Sequence, residues 1–276
     1  MIRLIASDLD GTIVSEGTDH INPKYYSVIR ALKEKGILFA AASGRHYTSM
    51  RRLFEPVMMD MVFISANGAR VMSQNRTLME EKIPDEYVEE WVTEARKIPH
   101  THIILDTKKG FLTESRDEAF LHFMIHGYHN EMICTEDVLR NTGSVVKLGI
   151  HLNHGIDELY EIMYTQWKTR LECVISGTGW IDLTMPGVHK GTALSGIQKH
   201  YGIRPEETIV FGDNKNDLGM LAYAGAGYAV ANAVEEMKKN AARVIPAQEE
   251  DGVLRILEEV LESAHAEYRH RKYSCC

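Results

Sequence analysis

Cysteine and long apolar runs are scarce in this sequence. The chain of 276 residues contains only four cysteines, and none forms a CxxC pair, which argues against a disulfide framework or a cysteine-based metal site. Residues 218–231 are 14 uncharged residues, fewer than the ~20 apolar residues that a membrane span requires. Asp8 interrupts the N-terminal apolar segment before a signal peptide can develop. We therefore expect free thiols, a cytoplasmic location and no membrane partner.

Positive charge is also limited. Lys and Arg number 31 against 39 Asp and Glu, giving a formal net charge of −8. A chain with this balance is a poor general binder of nucleic acid, so we expect no such partner. Hydrophobic residues make up 44% and charged residues 25%, as in an ordinary globular protein. The length allows one large domain or two smaller ones, and the sequence does not choose between a monomer and a homo-oligomer.

The C-terminus carries the pair Cys275-Cys276 after the basic run 269–272. Some prenylated proteins end in two cysteines, and a basic run would help membrane contact. A frayed, solvated tail is the alternative interpretation. We favour the solvated tail because nothing else in the sequence points to a membrane.

Short apolar segments that end in small or acidic residues predict the strands of a buried parallel sheet. These segments are residues 2–7, 37–42, 62–65 and 208–211. Helical patterns lie between or after them, at residues 22–36, 46–55, 189–201, 216–222, 232–240 and 252–268. This alternation predicts an α/β fold with a doubly wound parallel sheet. In such sheets, ligands bind at the carboxyl ends of the strands.

The middle of the chain has a different pattern, with strands that look longer and more exposed. Strands are predicted at residues 101–107, 110–114, 145–152 and 172–185, the last with a hairpin turn at 176–179. Helices are predicted at 85–98, 116–127 and 156–170. We therefore expect a discontinuous core domain of residues 1–83 and 187–276, and an inserted α+β cap domain of residues 84–186.

Acidic residues follow two of the predicted core strands. Asp8 and Asp10 end the first strand, while Asp213 and Asp217 follow the strand at 208–211. Because parallel strands end at the same edge, four carboxylates would converge and would need a cation. Oxygen ligands in an incomplete cage favour Mg²⁺, and Lys190 would add a second positive charge. A metal and a lysine facing a carboxylate are suited to phosphoryl transfer.

In order, the segments Asp8-Leu9-Asp10-Gly11-Thr12, Ser43-Gly44-Arg45, Lys190 and Gly212–Asp217 resemble the four motifs of the haloacid dehalogenase (HAD) superfamily. With the inserted domain and the segments 67–69 and 231–233, the chain resembles the Cof-type hydrolases with a type C2 cap. The resemblance extends from Ile2 to about Leu261 and implies a Rossmann-like core. Ser43 stands where many relatives carry Thr, which keeps the hydroxyl group.

The resemblance implies a role for each motif residue. Asp8 would be the nucleophile that forms an aspartyl-phosphate, and the Asp10 side chain would transfer the protons. The Asp8 and Asp213 carboxylates and the Asp10 main-chain oxygen would bind Mg²⁺. Phosphate binding would involve Ser43, Gly44, Lys190 and Gly11, the last because glycine lets the backbone pass close to the phosphate. Asn216 and Asp217 would complete the metal shell, or Asp217 would hold Lys190.

Other polar residues are candidate substrate contacts with plain structural alternatives. These candidates are Arg45, Asn67, Lys147 and Asn214. His122, His126 and His129 suggest a metal site, but no acidic or cysteine partner lies at suitable spacing, so we interpret them as a surface or cap-interface patch. The stripe of Trp91, Ala95 and Ile98 indicates cap core.

The leading hypothesis is a Mg²⁺-dependent phosphatase that hydrolyses a small phosphate ester. The resemblance suggests sugar phosphates first, then pyridoxal phosphate or flavin mononucleotide (FMN). A phosphomutase of the same fold would need the same Asp8 and Asp10. A phospho-accepting signalling protein is disfavoured by the inserted cap and by Asp10, and a non-catalytic binding protein by the complete set of motif residues.

Overall fold

Two β-sheets organise the fold, which is described here from a computed structural model covering residues 1–15, 18–127, 129–141, 143–177 and 179–273. Cys275 and Cys276, and with them both interpretations of the tail, lie outside the described residues. No helix in the described ranges is both long enough and apolar enough to cross a membrane.

Fourteen strands and nine α-helices are present in the described parts of the chain. The strands are β1 (Leu4–Asp8), β2 (Leu38–Ala42), β3 (Met61–Ser65), β4 (Arg70–Ser73), β5 (Arg76–Glu80), β6 (His102–Asp106), β7 (Phe111–Thr113), β8 (Met132–Cys134), β9 (Lys147–His151), β10 (Glu172–Gly177), β11 (Trp180–Thr184), β12 (Thr208–Gly212), β13 (Ala226–Val230) and β14 (Arg243–Ile245). The helices are α1 (Lys24–Glu34), α2 (Tyr47–Leu53), α3 (Asp85–Ala95), α4 (Glu118–His122), α5 (Ile156–Trp167), α6 (Lys190–Tyr201), α7 (Leu218–Leu221), α8 (Glu235–Asn240) and α9 (Gly252–Tyr273).

The core sheet has the strand order β14-β13-β12-β1-β2-β3-β4-β5. The six strands from β14 to β3 are parallel, and β4 and β5 add an antiparallel edge. Alternate residues of β1 point to opposite faces, as the period of a strand requires. Leu4 packs in the apolar cluster that contains α6, whereas Ile5 packs in the cluster of α1, α2 and α9. Helices therefore cover both faces, and the predicted doubly wound α/β fold is confirmed.

The second sheet, in the middle of the chain, has the order β10-β11-β9-β6-β7-β8. Helices α3 and α5 cover one of its faces through a buried cluster that includes Trp91 and Trp167. Trp91 and Ala95 are buried in this cluster and Ile98 packs against it, as the helical stripe predicts. The chain enters this unit after β5 and leaves it after β11. The boundaries predicted at 83/84 and 186/187 fall in these two connections.

The strands of this second sheet are on the whole no longer than those of the core sheet, and their exposure differs from strand to strand. Most described residues of β10 and β8 are exposed, as predicted for this unit, whereas the strands between them are buried. They have three to six residues, and every residue of β9 is buried. Polar side chains such as Lys147 and Asp182 do not face solvent, because the face that carries them closes over the edge of the core sheet. The hairpin predicted within 172–185 is present as β10 and β11.

Candidate active site

The predicted site residues meet at the carboxyl edge of the core sheet. Asp8 ends β1, and Asp213 follows its neighbour β12, to which β1 is hydrogen-bonded in parallel. The adjacent strand β2 leads into Ser43, whose backbone amide donates to the Ile64 carbonyl of β3. The parallel order thus brings together residues that are about 200 positions apart in the sequence.

Lys190 is the cation at the centre of the site and is completely buried. Its Nζ donates to Asp8 Oδ1 at 2.5 Å and to Asp217 Oδ1 at 2.7 Å. Burial alone would lower the pKa of this lysine, but the charges of Asp217 and Asp8 outweigh burial, and its pKa is raised. Helix α6 begins at Lys190 because the ring of His189 caps it, with Nδ1 accepting from the amides of Gly191 and Thr192.

Three carboxylates crowd around this lysine. Oxygen atoms of Asp8, Asp213 and Asp217 lie within 4.8 Å of one another. Burial, followed by the charge of Asp217, raises the pKa of Asp8 well above its usual value, and the same causes raise the pKa of Asp213 to about 6. One lysine does not balance three carboxylates, so the cluster favours binding of a further cation or a proton.

The free lone pairs show which residues fit Mg²⁺. Asp8 Oδ2 is buried without a hydrogen-bond partner among the described residues. Asp217 has no such free oxygen, because Oδ1 accepts from Lys190 and Oδ2 accepts from the amides of Asp213 and Asn214. Asp8 Oδ2 and the Asp213 carboxylate are hard oxygen donors of the kind that Mg²⁺ prefers. These contacts favour Asp217 as the support of Lys190 rather than as a metal ligand.

Gly11 is required by the position of the Asp213 side chain. Its φ is +82°, and a Cβ built on it would lie 2.4 Å from Asp213 Oδ2. Thr12 Oγ1 donates to Asp213 Oδ1 at 3.2 Å, and Asn232 Nδ2 donates to the Gly11 carbonyl at 2.7 Å. From the sequence, we expected Gly11 to let the backbone pass close to the phosphate. In the structure, the close neighbour is the carboxylate of Asp213.

Asp10 lies beside the cluster and is clamped by Arg45. The Arg45 guanidinium donates to both Asp10 oxygens, with Nε to Oδ2 at 2.9 Å and Nη2 to Oδ1 at 2.6 Å. It also donates to Asp19 Oδ1 at 3.1 Å, and Ser43 Oγ donates to Asp10 Oδ2 at 3.4 Å. Arg45 therefore fixes the direction of the Asp10 carboxylate, and His129 of the inserted unit reaches the same network at Asp19.

The remaining candidates from the core line the cavity above these carboxylates. Asn67 has a φ of 55°, and its Oδ1 accepts from Asn216 Nδ2 at 3.2 Å. Asn67 also packs on Gly44, where a Cβ would lie 3.2 Å from the Asn67 amide group. Asn214 Oδ1 accepts from the Lys215 amide at 2.8 Å. All four of Gly44, Asn67, Asn214 and Asn216 border the cavity.

The inserted unit forms the other wall of this cavity of about 680 Å³. Lys147, a predicted candidate, is buried there and donates to Asp182 Oδ2 at 2.9 Å. The aromatic residues of this wall were not predicted from the sequence. These residues are His102, Phe111, Phe120, Phe123, His151 and Trp180. For the four on strands the signal is alternation along each strand, and it becomes readable only when the register between strands is known; Phe120 and Phe123 lie on α4 and on the helical turn that follows it.

Two buried residues that the sequence analysis missed tie the inserted unit to the core. Arg70 Nη1 donates to Asp106 Oδ1 at 2.9 Å, and His46 Nε2 lies 2.7 Å from the Thr107 carbonyl. Arg70 and His46 are both 1% exposed. Buried hydrogen-bonded contacts of this kind fix the end of β6 above the active-site edge.

The histidine patch and the cysteines take no part in a metal cluster among the described residues, where Asp8, Asp213 and Asp217 form the one group of three candidate ligands. The rings of His122 and His126 lie 4.7 Å apart, and His129 contacts the core at Asp19. Cys134 and Cys173 are free thiols.

Comparisons with known proteins find similar sequences and a similar structure over nearly the whole chain. The sequence model of the haloacid dehalogenase-like hydrolase family matches residues 5–257. The chain is 27% identical over 261 residues to the 5-amino-6-(5-phospho-D-ribitylamino)uracil phosphatase YbjI of Escherichia coli (strain K12), covering 94% of this chain and 96% of that protein. It is 28% identical over 246 residues to the HMP-PP phosphatase of Escherichia coli O6:H1, covering 86% of this chain and 87% of that protein. A crystal structure from Eubacterium rectale matches with a TM-score of 0.87 at 30% identity, covering 94% of this chain and 99% of that chain.

Proposed function

The chain is a phosphatase of the haloacid dehalogenase-like hydrolase family that acts on small phosphorylated metabolites, and we propose that it uses Asp8 as a nucleophile and Mg²⁺ as its cofactor. One observation carries the proposal. Asp8 has one oxygen on the buried cation Lys190 and a second buried oxygen with no partner among the described residues. A carboxylate held in this way is positioned to bind a metal and to attack an electrophile.

The residues that would hold the metal are Asp8, Asp213 and the Asp10 main-chain oxygen. Mg²⁺ bound there would offset the charge of the carboxylates and of the incoming phosphate group. The Asp213 carboxylate is kept in place by Thr12, and the amides that follow β12 are kept in place by Asp217. The site is therefore built before a cation enters it, which lowers the cost of binding.

The protein side chains would divide the chemistry between them. Asp8 attacks phosphorus and forms an aspartyl-phosphate, while Asp10 protonates the leaving oxygen and later takes a proton from the attacking water. Lys190 and Ser43 bind the oxygens of the transferring group, and Gly44 leaves room beside them. Arg45 orients the Asp10 carboxylate through its two hydrogen bonds. Water is kept out by the inserted unit, which covers the strand ends.

A phosphate-release assay tests this proposal. Acetyl phosphate, ribose 5-phosphate, glucose 6-phosphate, pyridoxal phosphate and FMN would be incubated with the protein in EDTA and then with added Mg²⁺. We expect release of inorganic phosphate that is lost in EDTA and recovered with Mg²⁺. Isomerisation of a sugar phosphate without release would instead indicate a phosphomutase. Release that persists in EDTA would contradict the metal assignment.

A further inference from the structure

One face of the sheet in the inserted unit is turned towards the active site. Lys147, Gly149 and His151 alternate along β9 and border the cavity, whereas Leu148 and Ile150 between them lie in the apolar cluster with α3 and α5. Directly paired residues on neighbouring antiparallel strands share a face. The register therefore fixes which side chains stand next to one another in the cavity.

Three rows of paired residues cross this face. Row by row, they are Trp180, His151 and His102; Asp182, Gly149 and Ile104; and Lys147, Asp106 and Phe111. All nine border the same cavity as the carboxylates of the core. The face thus has an aromatic row, a middle row with a gap at the glycine, and a charged row.

The aromatic row is extended by Phe120, which stacks on His102 with a centroid distance of 4.0 Å and an angle of 9° between the rings. His151 lies 4.7 Å from Trp180. Burial, and then the neighbouring His102, lowers the pKa of His151, so its ring is neutral at pH 7. His151 Nδ1 is buried without a partner among the described residues, which leaves a polar atom available to a ligand.

The charged row has unused hydrogen-bonding capacity. The Lys147 ammonium has three protons, and its one hydrogen bond to a described residue goes to Asp182. Asp106 Oδ1 accepts from Arg70, but Asp106 Oδ2 is buried without a partner in the described parts of the chain. A donor and an acceptor therefore stand side by side on this row. An unpaired buried polar atom costs stability, so Asp106 Oδ2 favours a ligand that donates to it, while Lys147 has protons left to donate to the same ligand.

Gly149 leaves a gap between these two rows. A Cβ at this position would lie 3.4 Å from Asp182 Oδ1 and 3.6 Å from Ile104 Cβ, which is ordinary contact. Its backbone is an extended strand that alanine also adopts. The glycine is therefore not required by the fold, and its missing side chain leaves a flat floor in the cavity.

We propose that this face binds the leaving group of the substrate as a planar nitrogen heterocycle, lying over Gly149 with one edge on Lys147 and Asp106. The proposal rests on the proposed phosphatase function and adds the chemical class of the substrate. A ring with a hydrogen-bond donor beside an acceptor would satisfy Asp106 Oδ2 and Lys147 Nζ together. The aromatic row of His102, His151 and Trp180 would contact the ring along its other side, at centroid distances typical of aromatic pairs.

The first test compares esters with and without such a ring. We expect kcat/KM for FMN or pyridoxal phosphate to exceed that for ribose 5-phosphate and glucose 6-phosphate by about tenfold or more, the scale on which a fitted site discriminates. Equal or better hydrolysis of the sugar phosphates would overturn the proposal. Acetyl phosphate has no ring and reports on the core chemistry alone.

The second test fills the floor with Gly149→Ala. One added methyl group should lower kcat/KM for the ring esters by about tenfold and leave acetyl phosphate and ribose 5-phosphate within about twofold. Ile150→Val is the matched control, since Ile150 is the next residue of β9 but faces the apolar cluster. It should leave the ratio between ring and sugar esters unchanged. Equal losses for both classes in Gly149→Ala would contradict the proposal.

A binding measurement separates this proposal from the proposed function. If none of the five esters were hydrolysed with Mg²⁺, the proposed roles of Asp8 and Mg²⁺ would fail, and FMN binding would still test the face. We expect the wild-type protein to quench flavin fluorescence and Gly149→Ala to weaken FMN binding by about tenfold. No quenching by the wild type, or equal affinity in the variant, would overturn the proposal.

Discussion

Replacing Lys190 with methionine should have the largest effect of any single change in the core. Lys190→Met keeps an unbranched side chain in the buried space but removes the charge that Asp8 and Asp217 share. Three carboxylates within 4.8 Å then remain without a cation. Each pair repels by about 3.5 kcal/mol at that distance and an effective dielectric of about 20.

The size of the effect follows from what buried ion pairs cost when they are broken. Removing one partner of such a pair costs about 3–5 kcal/mol, because the other charge stays buried. For a chain of this size that corresponds to a decrease in Tm of about 10 °C. A bound cation or a proton would relieve the same repulsion. The deficit should therefore shrink on addition of Mg²⁺, and again when the pH is lowered to about 5.

Thermal unfolding of the wild type and of Lys190→Met, each in EDTA and in Mg²⁺, measures this prediction. Lys215→Met is the matched control, since Lys215 is 74% exposed and its pair with Glu236 spans 3.6 Å. It should change stability by less than about 0.5 kcal/mol. A Tm for Lys190→Met within about 2 °C of the wild type, with no added response to Mg²⁺, would refute the electrostatic account.

Three further predictions concern the same site. Gly11→Ala would place a Cβ 2.4 Å from Asp213 Oδ2, so the Mg²⁺ concentration for half-maximal activity should rise by about tenfold or more; an unchanged Mg²⁺ dependence would contradict this. The raised pKa of Asp213, about 6 in the folded state, contributes stability that is present below the unfolded value of ~3.9 and is lost as the pH rises through 6. In EDTA, the contribution of Asp213 to the free energy of unfolding should therefore fall by about 2 kcal/mol between pH 4 and 7, after allowance for solvent screening. Mg²⁺ should abolish this fall. Plots of unfolding free energy against pH that run parallel in EDTA and in Mg²⁺ would contradict the prediction. Asp10→Asn should lower kcat/KM, which reports the transfer step, about 10²–10⁴-fold for a sugar phosphate but less for p-nitrophenyl phosphate, whose leaving group needs no proton; equal losses in kcat/KM would argue against Asp10 as the acid.

The core of the site could be predicted from the sequence because its geometry follows from one rule. Asp8, Ser43 and Asp213 each come directly after an apolar run, and parallel strands end at one edge. No side-chain detail is needed to bring them together. The same rule does not fix the direction of the Lys190 side chain. That direction depends on His189, which caps the N-terminus of α6, and on the hydrogen bonds to Asp8 and Asp217.

The cavity wall formed by the inserted unit could not be predicted from the sequence, for a physical reason. His102 and His151 are directly paired, but they are 49 positions apart, and no local pattern specifies that register. The polar residues of these strands also suggested exposure, whereas Lys147 and Asp182 are buried against a second domain-sized unit. Arg70 and His46 were missed likewise, since a buried arginine is recognised only with its partner Asp106 in view.

Trapping the covalent intermediate tests whether Asp8 is the nucleophile. Asp10→Asn should slow loss of the phosphoryl group more than its transfer from acetyl phosphate, so the intermediate accumulates. Quenching with borohydride reduces an aspartyl-phosphate to homoserine, which peptide mass spectrometry locates. We expect homoserine at position 8 and none when Asp8 is replaced by asparagine in the same background. Turnover of acetyl phosphate without any modification of Asp8, or modification at another carboxylate, would contradict it.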